Sequence, residues 1–150
     1  MNHGELAKQN FESGCNCAQS VLTAFSDLTG LDRGQAMKIA SGFGGGMGRL
    51  REVCGTLTGA FMVLGLLYGD DQVPEHGAKS VLYGRIQEVA GQFREKNGSL
   101  LCRDLLAGVR TVPGGVPEER TQEYYKKRPC GELCRYTANL LDEYIEAHPL

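Results

Sequence analysis

Six cysteines carry most of the reactive potential of this 150-residue chain: Cys15, Cys17, Cys54, Cys102, Cys130 and Cys134. A cysteine thiolate is both a redox nucleophile and a soft metal ligand, so the residue type alone admits thiol-disulfide exchange or metal binding. Cys15-Asn16-Cys17 is a C-x-C pair, and Cys130 and Cys134 stand four apart, on one face if the segment is helical. Neither spacing is that of a zinc ribbon, a haem C-x-x-C-H or a ferredoxin run. His3, His76 and His148 are scattered without an H-x-x-x-H pairing and receive no role. The acids show no isolated buried pair for hydrolytic acid-base work.

The elements that must position these thiols read as helices, because no stretch sustains period-two alternation. A first helix is expected from about Gly4, stopping at Gly14, and Asn16 caps a second whose stripe holds Val21, Leu22, Phe25 and Leu28 up to Gly30. Asp32 caps a third over residues 33–41. The glycine-rich run of residues 42–48 precedes a fourth, from about Leu50 to Tyr68, whose long uncharged stretch makes it the expected hub. A fifth follows Pro74 and ends at Asn97-Gly98, and Ser99 caps a short sixth. Residues 107–117, with two prolines and three glycines, read as the main loop before a polar helix from Glu118 toward Lys127; Pro129 starts the strongly amphipathic last helix. The expected fold is all-α, a single-domain bundle of about six to eight helices around a buried, glycine-containing central helix.

On these boundaries Cys17, Cys102 and Cys130 each fall in a first helical turn, and Cys54 about one turn into the central helix. Free N–H groups and the helix dipole there favour a thiolate, as do Arg49, Arg51, Arg103 and Arg128 nearby, so depressed thiol pKa values and fast alkylation are expected of Cys17, Cys102 and Cys130. The competing reading is packing: each of the four also lies on an apolar stripe, and free cysteine is a common core residue. The glycine run lacks the pattern and the preceding strand of a phosphate cradle and reads as a tight turn. The spacings Gly55/Gly59 and Gly65/Gly69 predict close approach of a neighbouring helix.

Composition limits the functional classes. At 41% hydrophobic and 23% charged residues the chain is that of a packed protein, and a net charge of −2 offers no broad positive field for nucleic acid. The one basic run, Lys126-Lys127-Arg128, reads as a solvated helix end. The first residues lack the pattern of a secretion signal, and the longest uncharged run, Cys54 to Gly69, is too short to span a bilayer. A cytoplasmic location is expected, where six cysteines do not read as a structural disulfide framework.

Four segments carry a resemblance: GCNCAQSVL at residues 14–22, FGGGMGRLREVCGTLTGAF at residues 43–61, CRDLL at residues 102–106, and the cysteine-led last helix. Together they resemble the C-GCAxxG-C-C family of redox-active proteins, over nearly the whole chain and in order. Thr56 stands where the family pattern has alanine. By motif, the family's four cysteines correspond to Cys17, Cys54, Cys102 and Cys130, with Cys15 and Cys134 as additions. The resemblance implies an all-helical fold and a redox role.

The expected function is therefore a redox centre of Cys17, Cys54, Cys102 and Cys130, by thiol-disulfide exchange or as ligands of an iron-sulfur cluster in electron transfer. The chain would then be an oxidoreductase or an electron-transfer component. The alternatives are a zinc-binding module using the same thiols, with Cys15 and Cys134 as further ligands, and a structural helical partner whose thiols only pack. The expected partners are a redox protein or a small thiol or metal substrate, with a homo-oligomer left open.

Overall fold

A computed structural model describes residues 2–150, and its chain is helical in nine segments among them. They are α1 (His3–Glu12), α2 (Cys17–Ala24), α3 (Ser26–Thr29), α4 (Arg33–Ala40), α5 (Gly55–Tyr68), α6 (His76–Asn97), α7 (Cys102–Leu105), α8 (Gln122–Lys127) and α9 (Cys130–Ala147). The fold is all-α, as its periodicity predicts. There is one more helix than the upper expectation because the second segment breaks at Phe25, which ends α2 and begins α3. No helix of the described residues is long and apolar enough to cross a membrane.

The local stops and starts reflect residue chemistry. Asn16 closes a capping box with Gln19: its side chain accepts from the Gln19 N–H at 2.8 Å, and the Gln19 side chain accepts from the Asn16 N–H at 3.0 Å. Asp32 caps α4 through the Gln35 N–H. Ser99 does not cap α7 as expected. Leu101 holds that position, while the Ser99 hydroxyl accepts from the Leu101 N–H and donates to Asp104.

α2 and α5 share the centre. α2 packs on α1, α4, α5 and α9, and α5 on α2, α6 and α9. Phe11, Leu22, Phe25, Leu57, Leu64, Phe93 and Leu141 are fully buried among them. His3 acquires a structural role that sequence reading did not assign: it stacks on Phe25 with ring centroids 4.2 Å apart and bridges Asp27 and Asp142, tying α1 to α3 and α9.

The glycine spacing in α5 divides in two. A Cβ on Gly59 would lie 2.8 Å from the Ala18 carbonyl oxygen, and one on Gly55 2.9 Å from the Cys17 Cβ, so both mark the close contact with α2. Gly65 faces open space and Gly69 is the helix C-cap, so the second pair forms no helix contact. Gly59→Leu is expected to destabilise the protein by about 1–3 kcal/mol through overpacking, read as a lower urea midpoint. An unchanged midpoint would show that α2 and α5 can separate at no cost.

Candidate functional site

The central helix begins at Gly55 and not at about Leu50, because residues 50–53 are taken by another structure. Val53 and Leu101 form an antiparallel bridge, with the Cys54 N–H donating to the Leu100 carbonyl at 2.8 Å and the Cys102 N–H to the Glu52 carbonyl at 2.6 Å. Cys54 is consequently the N-cap of α5, not a residue one turn inside it. This bridge joins a segment before α5 to one before α7, bringing Cys54 and Cys102 to the same place from 48 positions apart.

Cys17, Cys102 and Cys130 are the first residues of α2, α7 and α9. Together with Cys54 they line one cavity of about 280 Å³, whose wall also includes the glycine run, Arg49, Arg51, Glu118, Arg120, Tyr124 and Arg128. The Cys17 thiol is near enough to those of Cys130 and Cys134 for both to shift its titration. Cys134 itself is fully buried behind the cavity wall, whereas Cys15 turns away, its Sγ 3.9 Å from Met37 Sδ. All six cysteines are free thiols, and Cys17 is the least buried of them. Thr56 places its hydroxyl 3.2 Å from Cys54 Sγ and accepts from the Thr137 hydroxyl at 3.0 Å.

The glycine run is a tight turn. Gly45, Gly46, Met47, Gly48 and Arg49 all have positive φ, 57° to 72°. A Cβ on Gly46 would lie 2.7 Å from both the Cys102 Cβ and the Glu52 nitrogen, so only glycine lets this turn lie against the bridge.

Opposite the thiols, residues 112–118 are held over the cavity. Arg49 donates to the carbonyls of Val112, Gly114 and Val116 and to Glu118. Glu118 also pairs with Arg128 at 2.9 Å and accepts from the Val112 N–H; that N–H and the two arginines outweigh its burial and keep its carboxyl below the usual range. Arg128 is thus not part of a solvated helix end. It is buried, with its guanidinium 4.7 Å from the Tyr124 ring centroid, while Lys126 and Lys127 are exposed. Arg103 is exposed and pairs with Glu52 outside the cavity. Glu118 and Arg120 were missed in the sequence because a charged stretch after Pro117 looks like any polar helix start.

The thiols are not activated by their helix starts. Burial is the largest influence on Cys54 and pushes it up to about 11 against the Thr56 hydrogen bonds. Burial likewise raises Cys102 despite Arg51, whose Nη1 donates to its sulfur at 3.6 Å. In the Cys17–Cys130 pair, the Cys130 thiol favours a Cys17 thiolate, but the Cys134 thiol and burial override it; Cys130 is raised by the Cys17 thiol and by burial. The expected depression of pKa is reversed because desolvation of a buried charge exceeds the dipole contribution.

A thiol with a raised folded pKa contributes stability that is present below the unfolded pKa and lost as pH rises through the folded one. The reduced protein is therefore expected to lose stability between about pH 9 and pH 11, with Cys54 alone accounting for roughly 3 kcal/mol. Chemical denaturation across that window checks it, with Cys54→Ala flattening the decline. Native alkylation should also be slow at pH 7; rapid labelling of Cys54 there would contradict the raised pKa.

An all-helical, cysteine-rich chain with four thiols on one arginine-lined cavity defines the class to which this protein belongs. Residues 15–144 match the family described as "Putative redox-active protein (C_GCAxxG_C_C)", and the chain is a member of that family. No curated protein and no solved structure matches it.

Proposed function

We propose that the protein is a thiol-disulfide redox protein whose working pair is Cys17 and Cys130. The observation that carries this reading is that both residues line the shared cavity and each thiol shifts the titration of the other. Cys17 is assigned as the attacking residue because it alone of the six cysteines is only partly buried. Its thiolate attacks a partner disulfide RSSR, displacing one RS⁻ and forming a Cys17–S–S–R mixed disulfide. Cys130, deprotonated in turn, attacks the Cys17 sulfur and displaces the second RS⁻. The protein gains one disulfide and gives up two protons and two electrons; the partner leaves as two RSH. Cys134, fully buried and near enough to shift the Cys17 thiol, competes as resolving thiol.

A second reading has its own support: four thiols on one cavity beside four arginines suit the negative charge of a thiolate-ligated iron-sulfur cluster. Cys17, Cys54, Cys102 and Cys130 would hold it, and the same set would hold zinc. As folded, no three Cys, His, Asp or Glu among the described residues are gathered into a metal-holding group, so either metal would require the thiols to draw together.

Anaerobically purified, reduced protein incubated with oxidised glutathione tests the proposal. The expected result is loss of two hydrogens from the intact mass and a peptide linking Cys17 to Cys130. Unreacted thiols, or stoichiometric iron and sulfide with a visible absorption band in the purified protein, would overturn it.

A further inference from the structure

The cavity has more positive charge than its own acids use. Arg49, Arg51, Arg120 and Arg128 line it against the single carboxylate of Glu118, a formal excess of three (four minus one) with the thiols neutral. Three of the guanidiniums are committed. Arg49 holds the 112–118 segment, Arg128 pairs with Glu118, and Arg120 donates to the Phe11 carbonyl at 2.8 Å with its guanidinium 4.4 Å from the Phe11 ring centroid.

Arg51 is different. Its Nη2 is buried and has no hydrogen-bond partner; the nearest carboxylate oxygen, Glu118 Oε1, stands 3.9 Å away. Its Nη1 reaches only the weak acceptor Cys102 Sγ. A buried charged donor left without an acceptor is costly, more so than a neutral one, and an acceptor from outside the chain would remove that cost. Arg51 is also held in place: it has a φ of +61° and its carbonyl accepts from the Arg103 N–H beside the Val53–Leu101 bridge.

We infer that the cavity binds a small anionic ligand, with an oxyanion or carboxylate accepting from the Arg51 guanidinium beside Cys102. Its role as a redox co-substrate rests on the thiol reading above; its binding does not. Under that reading the favoured partner disulfide carries acidic groups, and the guanidinium holds it beside the thiols while sulfur exchange takes place.

Calorimetric titration of the reduced, metal-free full chain tests this, with sodium sulfate and S-methylglutathione as separate unreactive probes and sodium chloride at matched ionic strength as baseline. At least one probe is expected to saturate a single site; sulfate alone points to inorganic oxyanions, S-methylglutathione to carboxylate-bearing thiol compounds. Arg51→Gln should weaken that binding by about tenfold or more, the scale of one lost charge-assisted hydrogen bond, while Arg103→Gln leaves it unchanged. No saturation by either probe, equal binding by Arg51→Gln, or equal loss in Arg103→Gln would overturn the inference. If Arg51→Gln fails to fold, the Arg51 guanidinium resonance of the wild-type protein must shift during the titration, and an unmoved resonance overturns it instead. Saturation without any Cys17–Cys130 disulfide would leave the anion site standing and remove only the thiol mechanism.

Discussion

Cys17→Ser is expected to slow oxidation by a disulfide substrate by on the order of 100-fold or more, because a serine hydroxyl does not replace a thiolate in attack on sulfur. Cys130→Ser should behave differently. It keeps the attacking sulfur and loses the resolving one, so the Cys17 mixed disulfide should accumulate and be visible as one added thiol in the intact mass. Cys15→Ser, remote from the cavity and facing Met37, should oxidise like the wild type. Stopped alkylation and mass spectrometry separate these outcomes. Equal oxidation rates in wild type and Cys17→Ser would show that another thiol starts the reaction. Release of the mixed disulfide in Cys130→Ser would point to Cys134, the other thiol that shifts Cys17.

Gly46→Ala should have the largest effect on stability of any small substitution near the site. Its φ of +72° is unfavourable for an L side chain, and its Cβ would press at 2.7 Å on both the Cys102 Cβ and the Glu52 nitrogen. Left-handed strain costs about 1–2 kcal/mol and overpacking about 1–3 kcal/mol, so a total of roughly 2–5 kcal/mol is expected. That is a large share of the ~5–15 kcal/mol by which an ordinary domain is stable. Gly98→Ala isolates the first contribution, since Gly98 has a φ of +88° but open space around it. Denaturant midpoints of the two variants should differ clearly. Equal losses would mean that the glycine turn moves aside, and the Val53–Leu101 bridge would then no longer be what keeps Cys102 against it.

The helices and most of their ends were legible in the sequence because their causes are local. Asn16 and Asp32 cap α2 and α4, Gly30 and Gly98 end helices with positive φ, and the apolar period of residues 133–144 is buried as α9. Cys17, Cys54, Cys102 and Cys130 were legible too, three as the first residues of α2, α7 and α9 and Cys54 beside the start of α5. Three things depended on contacts between distant segments. The start of α5 was set by pairing with residues 100–103, a bridge too short to leave a strand pattern. Arg128 looked solvent-facing in a basic run, but Glu118 and Tyr124 draw it into the cavity wall. The thiol pKa values moved up where helix starts alone would move them down, because a helix dipole is written into one segment whereas desolvation is imposed by every segment that packs over it.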